Sequence, residues 1–198
     1  MRVAMKVALG ALVSALFTPG AVQAGDWMIT PFGGIVFGGE LSANGSVGHG
    51  RDERHGVYGA DLGYMGDGAL GFEVDFGYSP HFFGGDDSAV PDNNLTSLMG
   101  NLVLNAHFGE GGRFYISGGG GLLKSHVGSA EEFFEVSRND FGVDAGAGVI
   151  APLGNRLGVR GDIRYFRNVG DPEPDNEFDI DFGSFDFWRA TAGLTLKF

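Results

Sequence analysis

The chain has 198 residues, no cysteine and a formal net charge of −12 at pH 7. Without cysteine it can form neither a disulfide framework nor a thiolate metal site, and its acidic balance argues against nucleic acid as a partner, because phosphate contacts need lysine and arginine. Its 37 glycines would suit a disordered chain, but its 18 phenylalanines, many in alternating positions, argue against disorder.

Residues 1–24 predict a cleaved secretory signal peptide. Arg2 and Lys6 form a basic start, and residues 7–17 form an apolar core that precedes a cleavage site of the small-residue type. The apolar core is too short to span a membrane as a helix. After cleavage, residues 25–198 are expected to form one mature domain. Its net charge becomes −14 instead of −12, because the peptide carries two basic residues and no acid.

Eight later segments alternate apolar and polar residues with the two-residue period of a β-strand. In chain order the predicted strands are residues 26–37, 55–65, 70–78, 95–108, 113–125, 141–149, 156–168 and 185–198. The third is the most regular, with apolar residues at even positions and glycine or acidic residues at odd positions. Pro31 predicts a local irregularity in the first strand, and the four glycines at 118–121 weaken the fifth unless neighbouring strands pack closely over it.

The connections between these strands alternate strictly between long and short. Turns of three or four residues follow the second, fourth and sixth strands, whereas loops of about fourteen to seventeen residues follow the odd-numbered strands. The long loops are residues 38–54, 79–94, 126–139 and 169–184. Membrane barrels have this asymmetry, with short periplasmic turns and long external loops. The predicted fold is therefore an all-β, eight-stranded antiparallel up-and-down transmembrane β-barrel.

The final strand indicates how the barrel meets lipid. One face carries Trp188, alanines, leucines and Phe198, and the other carries Arg189 and Lys197. The two aromatics are ten residues apart, a separation that covers about 25 Å along the membrane normal in a tilted strand. Apolar faces are therefore expected outside and polar faces in the lumen. The predicted aromatic girdles comprise Trp27, Tyr58, Tyr64, Tyr78, Tyr165, Trp188 and Phe198.

The signal peptide, the early PFGGIVFGG, the later GVRGDIRYFRN and the ending LTLKF resemble the small outer-membrane β-barrel family of OmpX-like and opacity-type proteins. The resemblance covers essentially the whole mature chain. It implies a monomeric or weakly associated protein of the Gram-negative outer membrane, in contact with lipid and lipopolysaccharide. It also implies that Phe198 is the insertion signal for the barrel-assembly machinery, and that the peptidoglycan-binding domain of larger relatives is absent.

The polar parity predicts a charge network in the lumen. Its nine members are Asp61, Glu73, Asp75, Asp144, Arg160, Asp162, Arg164, Arg189 and Lys197. Asn101, Asn105 and His107 share the inward parity. An eight-stranded barrel is just wide enough for side chains to fill it, and opposite charges there should pair because uncompensated buried ions are costly. The network is interpreted as a structural salt-bridge plug, with a narrow ion path as the alternative.

No catalytic, cofactor or metal site is predicted. A hydrolase needs a nucleophile, a base and an orienting acid together. His107 faces the lumen near a periplasmic turn, and Ser117 and Ser125 have no partner at a recognisable spacing. Six carboxylates at 171–181 could ligate calcium, but the calcium-loop spacing is missing. A solvated face, or loose bridging to lipopolysaccharide through divalent cations, is favoured.

The loops carry the remaining candidates. Four phenylalanines are candidate external contacts, packed against other loops or the girdle, or exposed as an adhesive patch: Phe82, Phe83, Phe133 and Phe134. The expected function is support of the cell envelope together with adhesion-like interaction with a host or neighbouring-cell surface, without catalysis. A narrow porin-like channel and a lipid A-modifying enzyme are the alternatives.

Overall fold

The computed structural model describes residues 25–38, 40–43, 46–49, 54–66, 68–80, 82, 92–128, 135–169 and 186–198. The predicted signal peptide and the acidic run 171–181 lie outside these residues, as do Phe83, Phe133 and Phe134. Among the described residues there is no helix of the length and apolarity that a membrane crossing requires.

Ten strands are described. They are β1 (Gly25–Phe37), β2 (Glu40–Ala43), β3 (Ser46–His49), β4 (His55–Gly66), β5 (Leu70–Pro80), β6 (Asp92–Phe108), β7 (Gly112–Gly128), β8 (Glu135–Pro152), β9 (Leu157–Asn168) and β10 (Asp186–Lys197). Eight of them form a closed barrel in the order β1-β10-β9-β8-β7-β6-β5-β4, and β2 pairs only with β3 in this ordering. All barrel pairings are antiparallel. The predicted fold is confirmed.

Two of the predicted long loops contain more strand than expected. The first holds the β2–β3 hairpin, in which Ala43 pairs with Ser46. The intervening Asn44-Gly45 is a strong hairpin signal that the sequence interpretation overlooked. The prediction of a long loop at 126–139 was wrong, because β7 and β8 stay paired up to Gly128 and Glu135. This part of the sequence is polar at most positions, so hydropathy gives no period of two there.

The predicted irregularity at Pro31 lies at the seam between the first and last strands. The β1–β10 ladder pairs Ile29 with Leu196 and next pairs Phe32 with Gly193, so it skips two residues of β1. Proline has no N–H to donate to a ladder. On the lumen side of this gap, Thr30 Oγ1 lies 2.9 Å from Thr195 Oγ1, and both side chains are buried. A side-chain hydrogen bond therefore bridges the interrupted seam.

Thr195→Val is expected to destabilise the barrel by about 1–3 kcal/mol, because it leaves the buried Thr30 hydroxyl without its partner. The double variant Thr30→Val/Thr195→Val should have nearly the same free energy of unfolding as the unchanged protein, since two apolar groups of the same shape then face each other. Urea unfolding in lipid vesicles compares all three. If the single variant unfolds at the same urea concentration as the unchanged protein, the hydroxyl pair does not stabilise the seam.

The outer surface is apolar between aromatic clusters at its two ends. At the turn end, Trp27 lies 5.5 Å from Tyr64 between ring centroids, and it exchanges two backbone hydrogen bonds of 3.0 and 3.2 Å with Phe198. At the loop end, two further pairs are formed, Tyr58 with Tyr78 at 5.4 Å and Tyr165 with Trp188 at 5.2 Å. The seven aromatics predicted as girdle residues therefore divide between the two rims.

Candidate functional site

The lumen is filled by three layers of inward side chains. A lower apolar layer lies toward the short turns and contains Met28, Met65, Val103, Tyr115 and Ile150. An upper apolar layer lies toward the loops and contains Phe32, Val36, Val57, Leu95, Met99, Leu123, Phe166 and Phe187. Between them lies a belt of charged side chains, called here the lumen belt: Asp61, Glu73, Asp75, Asp144, Arg160, Asp162, Arg164 and Arg189. All eight are buried.

Arg164 is the centre of the lumen belt. Its guanidinium donates to Glu73 Oε1 at 2.5 Å and to Asp162 Oδ1 at 2.7 Å. It also lies 3.7 Å from Asp75 Oδ2 and 3.6 Å from Asp144 Oδ2. The side chain has no exposed surface. A single buried cation thus holds carboxylates from β5, β8 and β9 together.

Arg160 links the lumen belt to the lower apolar layer. Its Nη1 lies 2.5 Å from Glu73 Oε2 and 3.2 Å from Asp61 Oδ2. Its Nε donates to the Tyr115 hydroxyl at 2.6 Å, and that hydroxyl donates to Asp162 Oδ2 at 2.5 Å. The Tyr115 phenol therefore has both its donor and its acceptor capacity used, as a buried hydroxyl requires.

Arg189 links the lumen belt to the upper apolar layer. It binds Asp75 through both terminal nitrogens, with Nη1 3.0 Å from Oδ1. Its guanidinium carbon lies 5.0 Å from the centroid of the Phe32 ring and 4.7 Å from that of Phe166. Bidentate pairing and cation–π contact are the two interactions that suit a planar guanidinium best. The ion pair is consequently covered by aromatic rings.

Lys197 is the one predicted network member that lies elsewhere. Its position opposite Met28, near the end of β10, places it at the turn-side rim below the lumen belt. Its partner is Asp26, at 4.0 Å, which also lies 3.2 Å from Arg113. Lys197 therefore pairs with an acid of inward parity on another strand, as expected, but at the rim and not within the lumen belt. Arg113 was overlooked, although it shares the inward parity of Tyr115.

The inward glycines provide room for the belt. A Cβ at Gly77 would lie 2.7 Å from Arg189 Nη1, and one at Gly146 would overlap Cγ of Arg164. A Cβ at Gly119, in the glycine run of β7, would overlap the β6 backbone. The sequence predicted that the glycine run weakens this strand unless neighbouring strands pack closely over it, and such close packing is found here. Much of the glycine content thus has a packing role.

A sequence model of the outer membrane protein beta-barrel domain family matches residues 8–198 of the chain. The chain belongs to this family. It is accordingly a protein of the Gram-negative outer membrane, as the resemblance implied. No curated protein sequence matches the chain.

Several solved structures of small outer-membrane barrels have the same fold as this protein. Neisserial surface protein A gives a TM-score of 0.64 at 13% identity, with 89% of this chain and 100% of that chain covered. OprG from Pseudomonas aeruginosa gives 0.52 at 14% identity, with 89% and 97% covered. Ail of Yersinia pestis, in complex with the heparin analogue sucrose octasulfate, gives 0.50 at 16% identity, with 86% and 99% covered. At these identities the likeness concerns the fold alone.

The other predicted candidates take varied places in this outer-membrane barrel. Asn105 Nδ2 donates to the Gly68 and Ala69 carbonyls at 3.3 and 3.2 Å, so it fastens a turn. His107 is exposed at the turn-side rim. The Ser117 hydroxyl is buried and has no hydrogen-bond partner among the described residues. These positions do not assemble the nucleophile and base of a hydrolase.

Phe82 packs toward the barrel interior and does not project outward as an external contact would. Its ring packs against the upper apolar layer, with its centroid 5.2 Å from that of Phe187 and 6.2 Å from that of His55. The side chain is partly buried. Of the two alternatives left open for the loop phenylalanines, packing fits this residue better than an adhesive patch.

Proposed function

We propose that this protein is a non-conducting outer-membrane barrel that supports the cell envelope and interacts with other surfaces through its external loops. The observation that supports the proposal is the filling of the lumen. Two apolar layers enclose the ion-paired belt, and the Arg164 and Glu73 side chains within it have no exposed surface. An ion that crossed the lumen would have to lose its water and displace tightly paired charges, both of which are costly.

The negative charge of the chain indicates which kinds of surface partner its loops can bind. The predicted mature domain carries a net charge of −14, and six of its acids lie between residues 171 and 181. Ail was solved with a sulfated heparin analogue, but like charges repel, so a polyanion is a poor partner for so acidic a loop. A cationic surface, or lipopolysaccharide bridged by divalent cations, suits these carboxylates better.

Planar lipid bilayers test the barrel part of the proposal. The refolded protein is expected to show no discrete conductance, whereas a porin in the same bilayer shows open channels. Arg160→Ala provides a second reading, because a lumen that conducts should change its conductance when this belt cation is removed. Discrete openings of the unchanged protein that are altered in Arg160→Ala would overturn the proposal in favour of a narrow channel.

Binding to lipopolysaccharide-coated beads tests the surface part on the same refolded sample. We expect calcium-dependent binding that is lost when the six acids at 171–181 are replaced by their amides. The matched control replaces Asp26 at the turn-side rim by asparagine and should bind normally. Binding that survives the loop substitution, or that needs no calcium, would contradict this role of the loop.

The proposed role involves no catalysis. Expression of the protein in a heterologous outer membrane should leave the lipid A mass spectrum unchanged. A new lipid A species that disappears in His107→Ala or Ser117→Ala would contradict this and would favour the lipid-modifying alternative.

A further inference from the structure

The lumen belt contains more acid than base. The three guanidinium groups of Arg160, Arg164 and Arg189 face five carboxylates, which leaves two negative charges in excess when all are ionised. Exposed acids can be balanced by counterions from solution. This belt lies between two apolar layers, and uncompensated charge in such surroundings is costly. A compensating cation inside the lumen would remove that cost.

Three of the five carboxylates form a compact cluster. Asp61, Glu73 and Asp75 each offer an oxygen within 4.8 Å of the other two. Asp61 and Asp75 are direct neighbours across the β4–β5 ladder. Calcium binds oxygen at about 2.4 Å, so two ligands of one ion lie at most about 4.8 Å apart. The spacing of the cluster suits a single calcium ion.

The neighbouring strand β6 carries a fourth oxygen donor, an amide that has no hydrogen-bond partner among the described residues. Asn101 stands directly opposite Glu73 across the β5–β6 ladder and faces inward, with 4% of its surface exposed. Neither its Oδ1 nor its Nδ2 has a hydrogen-bond partner among the described residues, and the same is true of Asp61 Oδ1. Buried amides are normally hydrogen-bonded. An amide oxygen is also a usual calcium ligand.

We propose that Asp61, Glu73, Asp75 and Asn101 bind one calcium ion inside the lumen. The donors are all oxygens, which hard divalent cations prefer, and one such ion balances the two excess charges. Glu73 and Asp75 also pair with arginine, but a carboxylate has about four lone-pair sites and can accept from both. The site is independent of the external loops and of the proposed surface role. Its enclosure means that the ion enters as the barrel folds.

The test refolds the full mature chain in detergent with calcium, removes free calcium by desalting, and measures retained calcium by mass spectrometry. We expect about one calcium per chain, and a higher thermal unfolding midpoint than for protein refolded with a chelator. Asp61→Asn should retain none. Asp26→Asn, which removes an acid at the turn-side rim outside the cluster, should retain calcium like the unchanged protein.

Asn101→Ala keeps the charge of the cluster and guards against a failure of Asp61→Asn to fold. It should lower the apparent calcium affinity in chelator competition by roughly tenfold or more. The proposal is overturned if the unchanged protein retains no calcium and unfolds at the same temperature after both refolding protocols, which would mean that bound protons balance the belt. Calcium retention that is equal in all variants would place the ion elsewhere and overturn it as well.

Discussion

Arg164→Ala is expected to destabilise the folded barrel by about 3–5 kcal/mol, the typical result of removing one partner from a fully buried ion pair. The guanidinium makes hydrogen bonds to Glu73 and Asp162 and lies within 3.7 Å of Asp75 and Asp144. Without it, the lumen belt, which already holds more carboxylates than cations, would keep Arg160 and Arg189 as its remaining bases. The loss therefore exceeds the value of any single hydrogen bond.

Urea unfolding in lipid vesicles, followed by the fluorescence of Trp27 and Trp188, measures this loss. The midpoint should fall while the dependence of the free energy on urea is unchanged. Arg164→Lys should give an intermediate result, because lysine keeps the charge but lacks the planar fork of donors. Arg156→Ala, in an exposed turn, is the matched control and should change the stability by about 0.5 kcal/mol or less. Equal midpoints for Arg164→Ala and Arg156→Ala would show that the belt does not stabilise the fold.

The strand pattern of the barrel could be predicted because lipid imposes a strict alternation on each strand. In β5, Phe72, Val74 and Phe76 face outward, whereas Glu73 and Asp75 are buried in the lumen. The same constraint disappears where strands leave the membrane. The upper part of β7 and β8 has a polar sequence, so the continued pairing there has no hydropathy signal.

The layering of the lumen is visible in the sequence, although the prediction was only that the polar faces of the strands line the lumen. Phe166 and Phe187 share the inward parity of Arg164 and Arg189, and Val57 shares that of Asp61. Apolar residues on the inward parity near the strand ends, with charges in the middle, are a signal for a layered plug. An interior filled in this way favours a non-conducting barrel over the channel alternative, because an ion would have to pass two clusters of buried apolar side chains.

The partners within the lumen belt could not be predicted from sequence. Arg164 and Glu73 are 91 positions apart and lie on strands that are not neighbours in the barrel. Their meeting depends on the stagger of the strands and on the reach of both side chains across the lumen. Lys197 illustrates the same limit, because parity alone could not place it at the rim beside Asp26 instead of in the belt.

Gly148→Ala is expected to destabilise the barrel strongly, because the added methyl group would need the space that the Tyr115 side chain occupies. Gly148 lies directly opposite Tyr115 on the β7–β8 ladder. An added Cβ would overlap the Tyr115 hydroxyl and Cζ, and would lie 2.6 Å from the Gly161 carbonyl oxygen. Overpacking of this kind costs about 1–3 kcal/mol. If Tyr115 moves away, its hydrogen bond to Asp162 and the one it receives from Arg160 are lost as well, at about 1.5–3 kcal/mol for a bond to a charged group.

Gly100→Ala is the matched control, since Gly100 lies in mid-strand on the outer face and its added Cβ would come no closer than 3.9 Å to its nearest neighbour, the Gly120 carbonyl oxygen. Urea unfolding should show it to be neutral or up to about 1 kcal/mol more stable, because alanine loses less backbone entropy than glycine. In a Tyr115→Ala background the cost of Gly148→Ala should shrink by about 0.5–3 kcal/mol, the usual coupling of residues in contact. The contact with the Gly161 carbonyl oxygen should keep the remaining cost of Gly148→Ala above zero. Equal costs for Gly148→Ala in both backgrounds would mean that Tyr115 does not need the space above this glycine.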